Sequence, residues 1–239
     1  MSTIQHILFD LHGTLVDSAR LRPFIAASVG QMMAVQYGQQ ASQWAAAYAR
    51  IQADWHSYFA DLHLSGDNGM ANLREGLFRT TRALFRLMNA PEPDMDDIHR
   101  LATTLASETA LVTAEVLFDD VLPMLADLSQ RDFHLHVCSD SFAKQAQTLL
   151  AHASISEHFE HIFGVDTMDQ LDRDAIYYEL VASRCGVSSA EMCLIVDDDV
   201  RHVRAAQASG LQAVHLARAG ARNASSLHSL ADLSGWIGN

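Results

Sequence analysis

The chain has 239 residues, 49% of them hydrophobic and 19% charged, and its 16 Lys+Arg against 29 Asp+Glu give a formal net charge of −13. This composition excludes a predominantly disordered chain, and the sign of the charge argues against nucleic-acid or anionic-membrane binding, which needs clustered cations. No segment approaches the ~18 continuous apolar residues of a membrane span, the N-terminus lacks the basic region of a signal peptide, and three irregularly spaced cysteines, Cys138, Cys185 and Cys193, make neither a disulfide framework nor a CxxC site, so a cytoplasmic location is expected.

In chain order, residues 4–9 (IQHILF) predict a short strand ending at Asp10, where Gly13 and Thr14 break the pattern. A helical region follows. Residues 21–37 read as a helix. In 41–62, Trp44, Tyr48, Ile51, Trp55, Phe59 and Leu62 recur at spacings of three and four, which predicts one amphipathic helix. A second stripe, Leu73, Leu77, Leu84 and Met88, marks a helix over 70–89, and a turn at Asn89–Pro93 separates it from another over 94–111. From about 117 the texture changes. A helix from Asp119-Asp120 through Leu128 leads to a strand at 134–138 and a helix at 142–153. A strand at 161–164, a helix near 174–185, a strand over 192–196, a helix at 200–209 and a strand at 211–215 complete the pattern. Alternation of this kind is the mark of βαβ units and a parallel sheet. The expected architecture is therefore α/β: a Rossmann-like parallel sheet with helices on both faces, and an all-helical insert after the first strand. The expected division is a core of residues 1–17 and 113–239 and an insert of 18–112.

Ligands in open parallel sheets sit beyond the carboxyl ends of the strands. Three strand ends here deliver acidic or hydroxyl groups: Asp10, the run Ser139-Asp140-Ser141, and the triplet Asp197-Asp198-Asp199. Helix capping accounts for any one of them. It accounts poorly for three adjacent carboxylates at a converging edge, which repel unless a cation lies between them. Oxygen donors without a supporting cysteine point to a hard dication such as Mg²⁺.

Two stretches then carry a family resemblance. Ile7-Leu-Phe-Asp-Leu-His-Gly-Thr-Leu-Val-Asp-Ser18 resembles the first motif of the haloacid dehalogenase (HAD) superfamily, and Leu194-Ile-Val-Asp-Asp-Asp-Val-Arg-His through Gly210 resembles its fourth. Ser139 fits the second motif, and the helical insert matches a C1-type cap. The resemblance implies that Asp10 is the nucleophile forming an aspartyl-phosphate. It further implies that Asp10, the backbone carbonyl of His12, Asp198 and Asp197 surround Mg²⁺, and that Ser139 hydrogen-bonds the phosphoryl oxygens. A metal in that place would offset repulsion between an anionic nucleophile and an anionic substrate.

The sequence departs from the family pattern twice. His12 stands where the family's phosphatases carry a second Asp as general acid/base, a task imidazole can also perform near neutral pH. Leu171 stands where a third-motif lysine is expected, leaving Arg173 or Lys144 to supply that charge. His202 occupies a position where relatives often have Asn or Asp. Arg79, Arg82 and Arg86 lie on one helix face and read as a solvated surface. His134 and His136 read as partly buried sheet residues on one side of their strand, with no third zinc ligand evident. Trp44, Trp55 and Phe59 read as core, and Asp17 and Ser18 as a helix cap.

The expected function is a Mg²⁺-dependent phosphatase acting on a small-molecule phosphate ester, with no nucleic-acid or membrane partner. Sequence leaves the oligomeric state and the substrate open. Two alternatives stand beside it: a catalytically silent relative that binds a ligand or partner, and an enzyme of the same fold catalysing another reaction such as dehalogenation, which the Asp197-Asp198 pair disfavours.

Overall fold

The computed structural model describes residues 4–218 and 226–237. Six strands, β1 (His6–Asp10), β2 (His134–Cys138), β3 (His161–Phe163), β4 (Cys193–Asp197), β5 (Gln212–Leu216) and β6 (Ser226–Leu227), form one sheet in the order β3-β2-β1-β4-β5-β6. Every strand pairing is parallel. All five residues of β1 and of β4 are buried, as expected for strands covered on both faces, which read as continuous apolar runs rather than alternating ones.

The covering helices sort by the period of two along the strands. Ile7 and Phe9 face a core shared with α5 (Val121–Leu128) and α6 (Ala143–His152), through residues such as Leu125, Leu149 and Leu150. Leu8, Cys138, Phe163 and Ile195 face the opposite side, packed with Tyr177, Tyr178 and Val181 of α8 (Ala175–Arg184) and Ala206 of α9 (Val200–Ala208). Between β1 and α5 stand four further helices: α1 (Ser18–Tyr37), α2 (Ala41–Ala53), α3 (Gly69–Leu87) and α4 (Met95–Ala106). A four-residue helix, α7 (Val165–Met168), follows β3, and α10 (Leu233–Ile237) ends the described chain. Among the described residues, no helix is long and apolar enough to cross a membrane.

Most predicted elements match within one to three residues. Two do not: α4 ends at Ala106, five residues short of the helix expected over 94–111, and the other departure is larger. The stripe over 41–62 is broken at Asp54, where α2 gives way to a 3₁₀ turn over Trp55–Phe59. The Ser57 hydroxyl donates to the Asp54 carbonyl at 2.9 Å and to its carboxylate at 2.8 Å, the local side-chain bonding by which Asp and Ser compete with helix. The break divides the aromatic stripe. Trp44 stays in the helical core, fully buried, with its ring 5.6 Å from that of Phe85 and its Nε1 donating to the Gly38 carbonyl at 2.8 Å. Trp55 is half-buried, stacked on Phe59 and packed against the core, and also lines a cavity. β6 and α7 were not anticipated from sequence; at two and four residues they are too short to show a period.

Candidate active site

From β1 in the centre of the sheet the chain steps outward through β2 and β3, then crosses to β4 on the other side of β1. That reversal opens a crevice at the carboxyl ends of β1 and β4. Asp10 is the last residue of β1, and Asp197 the last of β4. Oxygens of Asp10, Asp197 and Asp198 lie within 4.8 Å of one another. The Asp triplet thus divides its labour. Asp197 is buried, Asp198 is exposed at the mouth, and Asp199 caps α9 by accepting from the Arg201 N–H at 2.8 Å. Its bonds to Arg201 hold the Asp199 carboxyl down at about 2.

Gly13 makes room for this convergence. Its φ is +90°, and a Cβ built there would stand 2.1 Å from Asp198 Oδ2. Only glycine combines that backbone conformation with that approach. The loop is fixed from behind by Arg218, which donates to the Gly13 carbonyl at 3.1 Å and the Thr14 carbonyl at 2.5 Å while pairing with Asp120 at 2.9 Å.

Arg173 lies at the centre of the cluster, with its side chain only 2% exposed. It donates from Nη1 to Asp10 Oδ1 at 2.9 Å and to the Cys138 carbonyl at 3.2 Å. Its Nη2 is bonded to Asp197 and to His202 Nδ1, and its Nε is 3.3 Å from Asp140 Oδ1. Of the two cations expected in place of the lysine, Arg173 therefore reaches Asp10. Lys144 is exposed on α6, and the polar contacts of the cluster do not include it. Burial pushes the Asp10 carboxyl well up, the Arg173 guanidinium pulls it back, and the neighbouring carboxylates of Asp197, Asp140 and Asp198 add to the rise. Asp198 is raised by burial and by Asp197.

His12 is partly buried beside the cluster, and its Nε2 is 2.8 Å from Ser141 Oγ. Burial holds the imidazole below 6.5, with Asp140 opposing and Arg173 reinforcing the shift. Ser139 is buried, and its hydroxyl accepts from the Ser141 N–H at 3.1 Å. Ser139 itself does not line the adjoining cavity; Asp140 and Ser141 do. The strand-end run Ser139-Asp140-Ser141 and His202 are singled out by sequence, but not their contacts here: Asp140 with Arg173, Ser141 with His12, and His202 with Arg173.

The donor set suits a hard dication. All candidate ligands are carboxylates, no thiol is present, and Asp10 Oδ2 is buried without a hydrogen-bond partner. Four carboxylates, Asp10, Asp140, Asp197 and Asp198, against the single guanidinium of Arg173 leave three uncompensated negative charges when all are ionised.

Above the cluster a cavity of about 550 Å³ opens between the sheet end and the inserted helices. His12, Asp140 and Ser141 line it from below; Arg22, Tyr48 and Trp55 are among the residues that line it from above. The three arginines of α3 lie elsewhere, in surface pairs: Arg79 with Asp61 and Glu75, and Arg82 and Arg86 with Glu92.

Comparison with known proteins agrees with this geometry. The chain is 28% identical over 215 residues, 89% of its own length and 80% of the relative's, to a phosphoglycolate phosphatase of Photorhabdus laumondii. Its fold is similar to that of the HAD hydrolase YfnB of Bacillus subtilis bound to magnesium, with a TM-score of 0.62, 18% identity, and 98% and 99% of the two chains covered. It is also similar to L-2-haloacid dehalogenase of Xanthobacter autotrophicus with chloropropionic acid covalently bound, with a TM-score of 0.54, 18% identity and 97% of each chain covered. The haloacid dehalogenase-like hydrolase model matches residues 4–210, and the chain belongs to that family.

Proposed function

We propose that this hydrolase is a Mg²⁺-dependent phosphatase of small phosphorylated metabolites. The observation that carries the reading is the convergence of Asp10, Asp197 and Asp198 within 4.8 Å, joined through Arg173 to Asp140, which with His12 lines a cavity sized for a small molecule. The phosphoglycolate phosphatase relative supports the same class of substrate.

In this reading Asp10 attacks phosphorus. The ester P–O bond breaks, and His12, held by Ser141, gives its proton to the departing oxygen. The aspartyl-phosphate is then opened by water whose proton passes to His12, which releases phosphate and restores Asp10. Arg173 opposes the upward push on the Asp10 carboxyl and aligns it, and its charge offsets that of the incoming phosphate. Asp10, the His12 carbonyl, Asp198 and Asp197 would hold Mg²⁺, which supplies charge neutralisation and orientation of the phosphoryl group when bound. The inserted helices act as the cap, over residues 18–112, and their cavity-lining side chains select the ester.

The test is turnover of a generic aryl phosphate and a panel of small phosphate esters, 2-phosphoglycolate among them, with and without Mg²⁺. Mg²⁺-dependent phosphate release that Asp10→Asn abolishes is the expected result. Equal rates for both proteins would point to the silent relative. A second reading rests on Arg173, a permanent cation already paired with Asp10: halide release from 2-haloacids without metal would replace the phosphatase assignment by dehalogenation.

A further inference from the structure

The amino ends of β1, β2 and β3 carry a second cluster, four residues along β1 from Asp10 and therefore ~13 Å away. His6 is in register with His134, and His136 with His161, so all four imidazoles share one face of the sheet. The His6 ring stacks on His134 at 4.8 Å and lies 5.5 Å from His136, whose ring meets the edge of His161 at 5.2 Å. Glu160, next to His161, has its carboxylate 2.6 Å from His134 Nδ1.

His136 is the unusual member. Sequence placed it among partly buried residues, but it is fully buried. Its Nε2 is 3.2 Å from His6 Nδ1, and its own Nδ1 has no hydrogen-bond partner. A buried ring nitrogen without a partner is destabilising unless something else fills the place. The third ligand that was not evident from sequence is present in space. Ligand atoms of His136, Glu160 and His161 lie within 4.8 Å of one another.

We propose that His136, Glu160 and His161 form a second metal site, for a transition-metal dication of the Zn²⁺ class. Two imidazoles and a carboxylate are a borderline donor set that suits Zn²⁺ and its first-row neighbours, whereas the all-carboxylate cluster suits Mg²⁺. The surroundings supply the outer partners that such ligands use. His6 holds the His136 ring and His134 holds the Glu160 carboxylate. Glu160 and His161 are exposed, which leaves the ion a path from solvent. The site ties the short strand β3, at the sheet edge, to β2, so occupancy stabilises the fold without touching the reaction.

The experiment uses the full untagged chain, stripped with a chelator and kept in millimolar Mg²⁺ to fill the carboxylate cluster. Zn²⁺ is titrated with thermal unfolding as the readout, bound metal is counted by elemental analysis, and Co²⁺ is used as a visible-absorption probe. One tightly held Zn²⁺ per chain, a raised Tm and a tetrahedral or five-coordinate Co²⁺ spectrum are expected. His161→Ala and Glu160→Gln, both at exposed positions, should each weaken binding by about tenfold or more and remove the Tm rise, while aryl-phosphate turnover in Mg²⁺ keeps its wild-type value. Absence of retained Zn²⁺, or retention that these variants leave unchanged and Asp198→Asn abolishes, would overturn the site. Neither result depends on whether the protein hydrolyses phosphate esters.

Discussion

Removing the Arg173 guanidinium should expose how strongly the carboxylates at the sheet end depend on it. The Arg173 side chain is 2% exposed, and those of its partners Asp10 and Asp197 are 8% and 1% exposed. At 2.9 Å from Asp10 Oδ1, the attraction is about 6 kcal/mol at an effective dielectric of about 20. Desolvation, at several kcal/mol per ion, offsets much of it. Arg173→Ala leaves that desolvation in place and removes the compensation, which for buried pairs costs about 3–5 kcal/mol. For a chain of this size that lowers Tm by roughly 6–20 °C. The variant leaves its four clustered carboxylates without a cation, so Mg²⁺ should raise its Tm more than it raises that of the wild type. Arg173→Lys should recover only part of the loss, because an ammonium cannot span Asp10, Asp197 and the Cys138 carbonyl as the fork does. Calorimetry or thermal fluorescence with and without Mg²⁺ measures both effects. An unchanged Tm in chelator, with equal Mg²⁺ increments for the two proteins, would refute the idea that Arg173 and a dication answer the same excess of negative charge.

Gly13→Ala should cost about 1–2 kcal/mol for the left-handed backbone alone, and its Cβ, 2.1 Å from Asp198 Oδ2, should displace that carboxylate; a raised Mg²⁺ requirement in steady-state assays checks it. If His12 is the acid that protonates the leaving group, only its cationic form is competent. Burial lowers its pKa below 6.5, so kcat/KM for esters with poor leaving groups should fall as pH rises through that lowered value; His12→Asp should move the profile and raise the rate by about tenfold or more, and a drop would show that the imidazole has its own role. At Asp120, burial raises the carboxyl but bonds from Arg218, Ser229 and the Leu230 N–H outweigh it and bring it below 3.8. Its contribution to stability is therefore complete above about 3.8 and lost as pH falls through the lowered value, so Asp120→Asn should flatten the acid limb of a Tm-against-pH curve. Trp55→Ala should change KM and substrate preference in steady-state assays and also lower Tm, because Trp55 lines the cavity while its ring stacks on Phe59 and packs against the core.

The sheet was legible because parallel strands buried on both faces are apolar runs, and HILFD and CLIVD end in the one residue type that such runs reject. An aspartate closing a buried strand is a contradiction at the level of hydrophobic pattern, and that contradiction marked the site. The stripe over 41–62 shows the opposite case. Its spacing is helical throughout, yet Asp54 and Ser57 supply a local bonding pattern that ends α2, and hydrophobic period carries no record of such bonds. The histidines were equally hard to read. His134 and His136 gain meaning only when β1 and β3 bring His6, His161 and Glu160 alongside them, and strand order is what sequence separation conceals.

The loop over 170–174 explains why a leucine can stand where a lysine was expected. Asp174 caps α8 by accepting from the Tyr177 N–H at 2.9 Å, and the Gln170 side chain donates to the Asp172 carbonyl at 2.6 Å, so the short segment is tightly folded. Its side chains then divide between the insert and the sheet end. Asp172 Oδ2 accepts from the Gly66 N–H at 3.0 Å, and Leu171 Cδ1 lies 3.4 Å from where a Gly69 Cβ would be, so both meet the inserted helical segment. Arg173 turns inward to Asp10. A lysine at 171 would place its charge against the insert, whereas an arginine two positions later has the reach and the fork to bridge two strand ends at once. Arg173, two positions after the expected lysine, supplies the cation at Asp10. The same loop thereby joins the insert to the guanidinium paired with Asp10, so a shift of residues 66–69 would be felt at that carboxylate through only a few covalent bonds.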